Sequence, residues 1–468
     1  MSLPRVYTIP ASAPFLTVLV ERLLSGELIA GFRPSNDPLA LAGATLYLPT
    51  RRACRTARDA FLAALGEAAI LPRIVPIGDI DEDEIAFSQA GSDDLAAATL
   101  DTADALSGLE RRLLLAQLVS AWARAEGVSA AGGAPLVANT PAAALHLADA
   151  LAGLIDDMTT RRVGWERLDD LVPDNLDRYW EKTLAFLKIA RDYWPNRLRE
   201  LGRIEAAERR DLLIAAEIER LKNSNAPVIA AGSTGSMPST ADLLAAIARL
   251  PHGAVVLPGL DTDLDDASWE TIAGARSDQA GDGGFGGDMP AFAHPQFAMH
   301  GLLRRIGILR RDVIALAAPA PHGREPFVAQ ALRPTATTDR WRQWLVQPDV
   351  TTQRTAALHN LTVIEAASAE EEATAIAVAL RQALQTPGKT AALVTPDRAL
   401  ARRVIGVLER WQVAVDDSGG DSLADTSAGI FARLTAETAL AGCEPVALLA
   451  LLKHPLLRLG QPASVCLP

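Results

Sequence analysis

The residues Ala383–Thr390 read ALQTPGKT and fit a loosened phosphate-loop pattern: Ala or Gly, four free positions, then Gly-Lys-Ser/Thr. Such a loop offers glycine N–H groups to phosphates, a lysine to the β/γ-phosphates and a hydroxyl to Mg²⁺. That chemistry requires the loop to follow a strand and open a helix, so that the phosphate lies on the helix N-terminus. Here the order is reversed. Ser368 and Glu371 mark a capping box at the start of a helix whose Ile376, Leu380 and Leu384 share one face. The stretch QTPGK ends that helix, and TAALVTP begins an expected strand. The motif is therefore read as a helix-to-strand turn. An active ATPase using Lys389 stays as the competing reading.

Lysine occurs only five times among 45 basic residues, at Lys182, Lys188, Lys222, Lys389 and Lys453, and no other lysine follows a glycine. The strand–loop–helix order that a phosphate loop needs recurs in YTIPASAPFLTVLV, near the N-terminus, but with neither glycine nor lysine. The strand in PVIAAGS, where a magnesium-holding carboxylate would be sought, ends without an acid.

Other chemistry finds less support. GDIDEDE places Asp79, Asp81 and Asp83 at the first, third and fifth positions of a calcium loop, but Glu84 and Ala90 replace its glycine and glutamate. A solvated acidic turn is the better reading. LDTDLDD, Leu260–Asp266, follows an expected strand and is read as an exposed loop. No lysine has an acid two residues before it, which removes a nuclease motif of that kind. The histidines include no H-E-x-x-H, and no G-x-S-x-G marks a nucleophilic serine.

Two segments carry binding chemistry. In LPTRRACRTAR, Arg51, Arg55 and Arg58 recur at helical spacing directly after a strand, with Thr50 and Arg52 beside them. Guanidiniums and a hydroxyl at a helix start suit phosphate contacts. A solvated basic face or internal ion pairs would use the same residues. In AAGSTGSMPST, Gly232 and Gly235 permit close backbone approach, while Ser233, Thr234 and Ser236 supply hydroxyls. The plainer alternative is a tight strand–helix connection capped by Ser239. The candidate nucleic-acid contacts are thus Thr50, Arg51, Arg52, Arg55, Arg58, Ser233, Thr234 and Ser236.

The elements that must position them alternate. RVYTIP, ATLYLPT, APVIAAG and GAVVLPG read as strands, with PFLTVLVERLLSG, RRACRTARDAFLAALG and TADLLAAIARL as helices. This pattern implies a parallel sheet. Between about residues 101 and 224 the periodicity is helical throughout, which reads as an insert. Residues 274–290 are glycine-rich and polar, and a mobile loop is expected there. A second α/β unit is expected from LTVIEAA, TAALVTP and VAVDDS with two helices between them. At 468 residues the chain has room for about three domains. A net charge of −12 disfavours a broad cationic surface but leaves room for a narrow arginine-lined groove. Three scattered cysteines make no disulfide framework, and no export signal or membrane-length apolar run is present. A cytoplasmic protein is the simplest reading.

LYLPTRRACRTARDAF, LPRIVPIGDIDEDE, AAGSTGSMPSTADLLAAIARLPHGAVVLPGLD, HPQFAMHGLLRRIG and LVTPDRALARRVIGVLERW occur in that order. Together, over essentially the whole chain, they resemble the AddB subunits of AddAB helicase–nucleases in their alphaproteobacterial form. The resemblance implies an α/β fold of the superfamily-1 helicase type, with RecA-like parallel-sheet domains and an all-helical insert. Its first domain would comprise residues 1–100 and 225–345, its insert 101–224, and its second domain would begin at 346. It further implies a degenerate motor without ATP hydrolysis, and LPTRRACR as the segment touching single-stranded DNA. GSTGSMPS would link the ATP and DNA sites. An AddA-type subunit would supply the motor, single-stranded and forked DNA would be the other partners, and the role would be recombinational repair of double-strand breaks. No cofactor is expected in this part. The family's nuclease region and iron–sulfur cysteines would lie beyond Pro468, so the resemblance implies an N-terminal fragment. A purely structural assembly module, docking through the helical insert, is the third reading.

Overall fold

A computed structural model of the chain describes residues 4–34, 39–66, 70–77, 103–129, 140–171, 178–274, 290–420, 422–458 and 460. The acidic segment with Asp79, Asp81 and Asp83 and most of the expected glycine-rich loop lie outside these residues. The chain divides into two compact units, Met1–His359 and Asn360–Pro468.

In the first unit, strand β1 (Val6–Ile9) leads to helix α1 (Phe15–Ser25), and β2 (Thr45–Leu48) to α2 (Arg51–Leu65). Among the described residues, strand β3 (Arg73–Pro76) is followed by the helices α3 (Gly108–Ser129), α4 (Pro141–Arg161), α5 (Arg178–Lys188), α6 (Trp194–Leu201) and α7 (Ala206–Lys222). The α/β pattern resumes with β4 (Val228–Ala231), α8 (Pro238–Arg249), β5 (Gly253–Pro258) and α9 (Asp266–Thr271). Helix α10 (Phe297–Ile306), strand β6 (Ile314–Ala315) and helices α11 (Arg324–Ala331), α12 (Trp341–Leu345) and α13 (Val350–Leu358) complete the unit.

The six strands form one all-parallel sheet in the order β3-β2-β4-β5-β1-β6. Both faces are covered, which is why the strands read as continuous apolar runs instead of alternating ones. Alternate side chains nevertheless go to different layers, as the two-residue strand period demands. Val6, Tyr47, Val228, Ala230, Val255 and Leu257 pack with α8 and α10 on one face. Ile9, Leu46, Leu48, Ile229, Ala231 and Val256 pack with α1 and α2 on the other. The apolar stripe of α2 meets that second core through Cys54, Ala57 and Phe61, with Leu65 at its margin.

The helical stretch has its own core, with Leu115, Val119, Ala148, Leu151, Ile155 and Trp194 at its centre. Its last helix does not belong wholly to an insert, because Ile214 and Leu221 of α7 enter the core on the sheet. Tyr47 of β2 donates to the Glu217 carboxylate of α7, which is also bridged by Arg220 at 2.7 Å. Burial and the adjacent carboxylate push the Tyr47 phenol far above its usual range.

The second unit departs from expectation. Helices α14 (Ala369–Leu384) and α15 (Arg398–Glu409) form as read and pack through Ala373, Ala377, Val404 and Leu408, and α16 (Ser427–Leu440) and α17 (Pro445–Leu452) follow. The capping box is present: Glu371 N–H donates to Ser368 Oγ at 3.2 Å, and the Glu371 carboxylate accepts from Ala367 N–H at 3.0 Å. The three expected strands form no ladder among the described residues. Val363 and Val394 are more than four-fifths exposed. The reason is that apolar sequence favours extension, but a strand is made by its ladder partners. In the first sheet those partners come from far along the chain, β1 pairing with β5 and β6.

Candidate nucleic-acid interface

Parallel sheets place ligands at the carboxyl ends of their strands, and four strand-to-helix turns gather there. The turn after β2 is Pro49–Thr50. Thr50 is the N-cap of α2, its Oγ1 accepting from Ala53 N–H at 3.1 Å, so its oxygen serves the helix while its proton stays free to donate. Burial of Cys54, Ala57 and Phe61 turns Arg51, Arg52, Arg55 and Arg58 outward, and all four are exposed. Among the described residues, Arg55 and Arg58 make no hydrogen bond or ion pair. The expected arginine face thus exists, and at these two positions it is not spent on internal pairing.

The turn after β4 is Gly232–Met237. Gly232 and Gly235 hold φ of +79° and +68°, in the left-handed region open to glycine. Ser233 Oγ accepts from Gly235 N–H at 3.3 Å, closing the turn. Ser233 and Thr234 are half-buried and Ser236 is exposed. Ser239 does not cap the following helix. The N-cap of α8 is Met237, which provides no side-chain hydrogen bond, and Pro238 takes the first helical position. Adjacency of β2 and β4 brings the two sequence-selected turns together. A methyl group built on Gly232 would stand 3.4 Å from both Pro49 and Phe15.

The other two turns are acidic. After β1, where a phosphate loop would sit, Ser12 N–H donates to the Glu325 carboxylate at 2.8 Å and Ser12 Oγ accepts from Ala320 N–H at 2.8 Å. After β5, Asp261 accepts from the N–H groups of Asp263 and Leu264, both at 2.9 Å. Burial pushes the Asp263 carboxyl above its ordinary value, and Asp261 and Glu325 add to the effect. Asp265 caps α9 and pairs with Arg333 and Arg340, while Asp266 pairs with Arg310 at 2.7 Å. Among the described residues the two halves of the carboxyl edge therefore differ: at β5–β1 the turns carry carboxylates, of which Asp265 and Asp266 are paired with arginines, while at β2–β4 they carry hydroxyls, amides and the outward Arg55 and Arg58. Glu325 carries no sequence signal of this role, because 313 residues separate it from Ser12 and nothing local marks it.

Lys389 stands in the second unit, exposed, in the turn after α14, and its N–H donates to Thr386 at 3.1 Å. A preceding helix presents carbonyls to that turn, the wrong polarity for a phosphate. Among the described residues no three His, Cys, Asp or Glu side chains are grouped to hold a metal, and no helix is long and apolar enough to cross a membrane.

Fold and site define an α/β protein with a six-stranded all-parallel sheet whose carboxyl edge carries a cationic, hydroxyl-bearing half. Beyond that class, no protein-family model and no curated protein matches the chain.

Proposed function

We propose that the chain is a motor-silent, helicase-like module that guides a single nucleic-acid strand across the β2–β4 half of its sheet edge. The supporting observation is that the outward Arg55 and Arg58 lie on the helix opened by the Pro49–Thr50 turn, and that Pro49 packs beside Gly232 of the β4 turn, next to turns that carry carboxylates. Arginines neutralise phosphates, hydroxyls and amides position the backbone, and the carboxylate-bearing turns repel the strand and keep it to one side. The resemblance to AddB subunits implies a role in recombinational double-strand break repair, with RecA-like domains and a partner of the AddA type hydrolysing ATP. The reading also accounts for a net charge of −12 beside a local basic face.

The test is oligo(dT) binding by fluorescence anisotropy over a salt series, comparing the chain with its Arg55→Ala/Arg58→Ala variant. The variant should bind more weakly, and its slope of log K against log salt should be shallower by about 1.4, roughly 0.7 for each single-strand phosphate that is no longer neutralised. An unchanged slope would sink the assignment.

A second reading, a structural assembly module, draws on the apolar exposure of the second unit at Val363, Val394, Leu440 and Val446. Crosslinking in the complete complex that reaches protein partners but never joins DNA to the Thr50–Arg58 segment would favour it.

A further inference from the structure

The turn between β4 and α8 has no carboxylate within it, since residues 232–241 contain no acid. Helix α8 is twelve residues long and starts without a side-chain cap. The N–H groups of Ser239 and Thr240 have no acceptor among the described residues, because the first backbone bond of the helix runs from Ala241 to Met237. Oriented amides at such an end carry partial positive charge.

The second observation is the Ser239 side chain. It is 2% exposed, and its hydroxyl has no hydrogen-bond partner. A buried hydroxyl without a partner is uncommon and calls for a cause. Helical side chains tilt toward the N-terminus of their helix, so the side chain of Ser239, on the buried side with Leu243 and Ile247, leans toward the amide end of α8. The acid nearest in sequence, Asp242, is neutralised by Arg162 at 2.8 Å and Arg305 at 3.3 Å, and Arg305 also donates to Pro238 O at 3.1 Å.

We infer that the Gly232–Thr240 turn is a phosphate seat, in which the Ser239 and Thr240 amides and the Ser239 hydroxyl hold a phosphodiester of the strand that passes Arg55 and Arg58. The inference rests on the strand-guiding reading for its ligand, but its chemistry is that of any phosphate. The hydroxyl is buried, so seating a phosphate on it requires the Ser233–Ser236 segment to lift. Gly232 and Gly235 bracket the hinge of that segment, and both already hold positive φ.

Hydrogen exchange of the full chain, read in peptides spanning residues 232–243, tests it with inorganic phosphate and separately with oligo(dT). Phosphate should slow exchange at the start of α8, and Ser239→Ala should weaken that effect about tenfold, as expected when one hydroxyl donor to an ion is removed. Ser239→Ala removes an unpartnered group, so its unfolding midpoint should not fall, which separates an effect on binding from an effect on folding. Ser239→Cys, similar in size but a poor donor, should behave like alanine. Absence of phosphate protection in the unmodified chain, or equal protection in Ser239→Ala, overturns the seat. Phosphate protection without oligo(dT) binding leaves the seat standing and removes the strand reading. Oligo(dT) binding that needs Arg55 and Arg58, with phosphate protection unchanged in Ser239→Ala, does the reverse.

Discussion

The N–H of Ser12 donates to the carboxylate of Glu325 at 2.8 Å, so the turn that follows β1 is already occupied by an anion of the chain itself. In a nucleotide-binding α/β protein this turn would face a phosphate. Here β6 brings the chain alongside β1, and Ala320 and Glu325 then fasten the following segment over the turn.

Glu325→Ala should therefore lower the stability of the chain modestly, by about 1 kcal/mol, the contact being charge-assisted but solvent-exposed. Thermal unfolding reads this. ATP titrated calorimetrically should give no binding heat with either protein. Heat from the unmodified chain that disappears in Lys389→Ala would instead support an active ATPase.

Asp265 gives a pH dependence. Burial alone would push its carboxyl up, but hydrogen bonds from Arg333 and Ser268 bring it down to about 2. A carboxyl depressed in the folded state stabilises above its unfolded value, and that contribution fades as pH falls through about 2. Asp265→Asn should lose about 1–2 kcal/mol near neutral pH, after discounting for the side chain's partial exposure. Denaturant unfolding at decreasing pH should show the two proteins converging. A gap that stays constant down to the lowest pH would contradict the pairing.

Glu205 behaves oppositely. It is buried beside Trp194, which donates to it, and Arg111, which pairs with it at 3.0 Å and with Asp156 at 2.9 Å. Burial pushes its carboxyl above the ordinary value despite these partners. Arg111→Ala would leave that charge uncompensated and should destabilise by roughly 3 kcal/mol near neutral pH. A raised folded pKa favours the folded state at low pH, and that benefit is lost as pH rises through it. The deficit of the variant should accordingly shrink on acidification as the carboxyl takes up its proton. A deficit that grows on acidification would rule this out.

Gly232→Ala tests the junction of the two turns. With φ at +79° a Cβ is strained by the backbone, and it would sit in contact with Pro49 and Phe15. About 1–2 kcal/mol of stability should be lost, seen as a lower urea midpoint, together with weaker oligo(dT) binding. Unaltered strand binding in a folded variant would detach this turn from the interface.

Much of this is legible locally. The runs RVYTIP, ATLYLPT, APVIAAG and GAVVLPG become β1, β2, β4 and β5, and the spacing of Arg51, Arg55 and Arg58 does put them on one outward face. The capping box of Ser368 and Glu371 closes as its spacing demands. These features depend on residues within a turn or two of each other. The short strands β3 and β6 carry no such signal, the latter being two exposed residues long. Serine favours helix caps, which makes Ser239 look like one, but Pro238 at the first helical position sets Ser239 inside the helix.

The sequence by itself determined the strands β1, β2, β4 and β5, the helices that follow β1, β2 and β4, and that Gly-Lys-Thr at residues 388–390 follows a helix and does not open one. Tertiary structure alone decided the strand order, the placing of Pro49 against Gly232, and the seating of Glu325 on Ser12. It also left the apolar runs of the second unit without ladders among the described residues. The physical reason is common to all of them. Periodicity and capping are set by near neighbours, while strand pairing and the charge of a turn are set by groups that folding brings from hundreds of residues away.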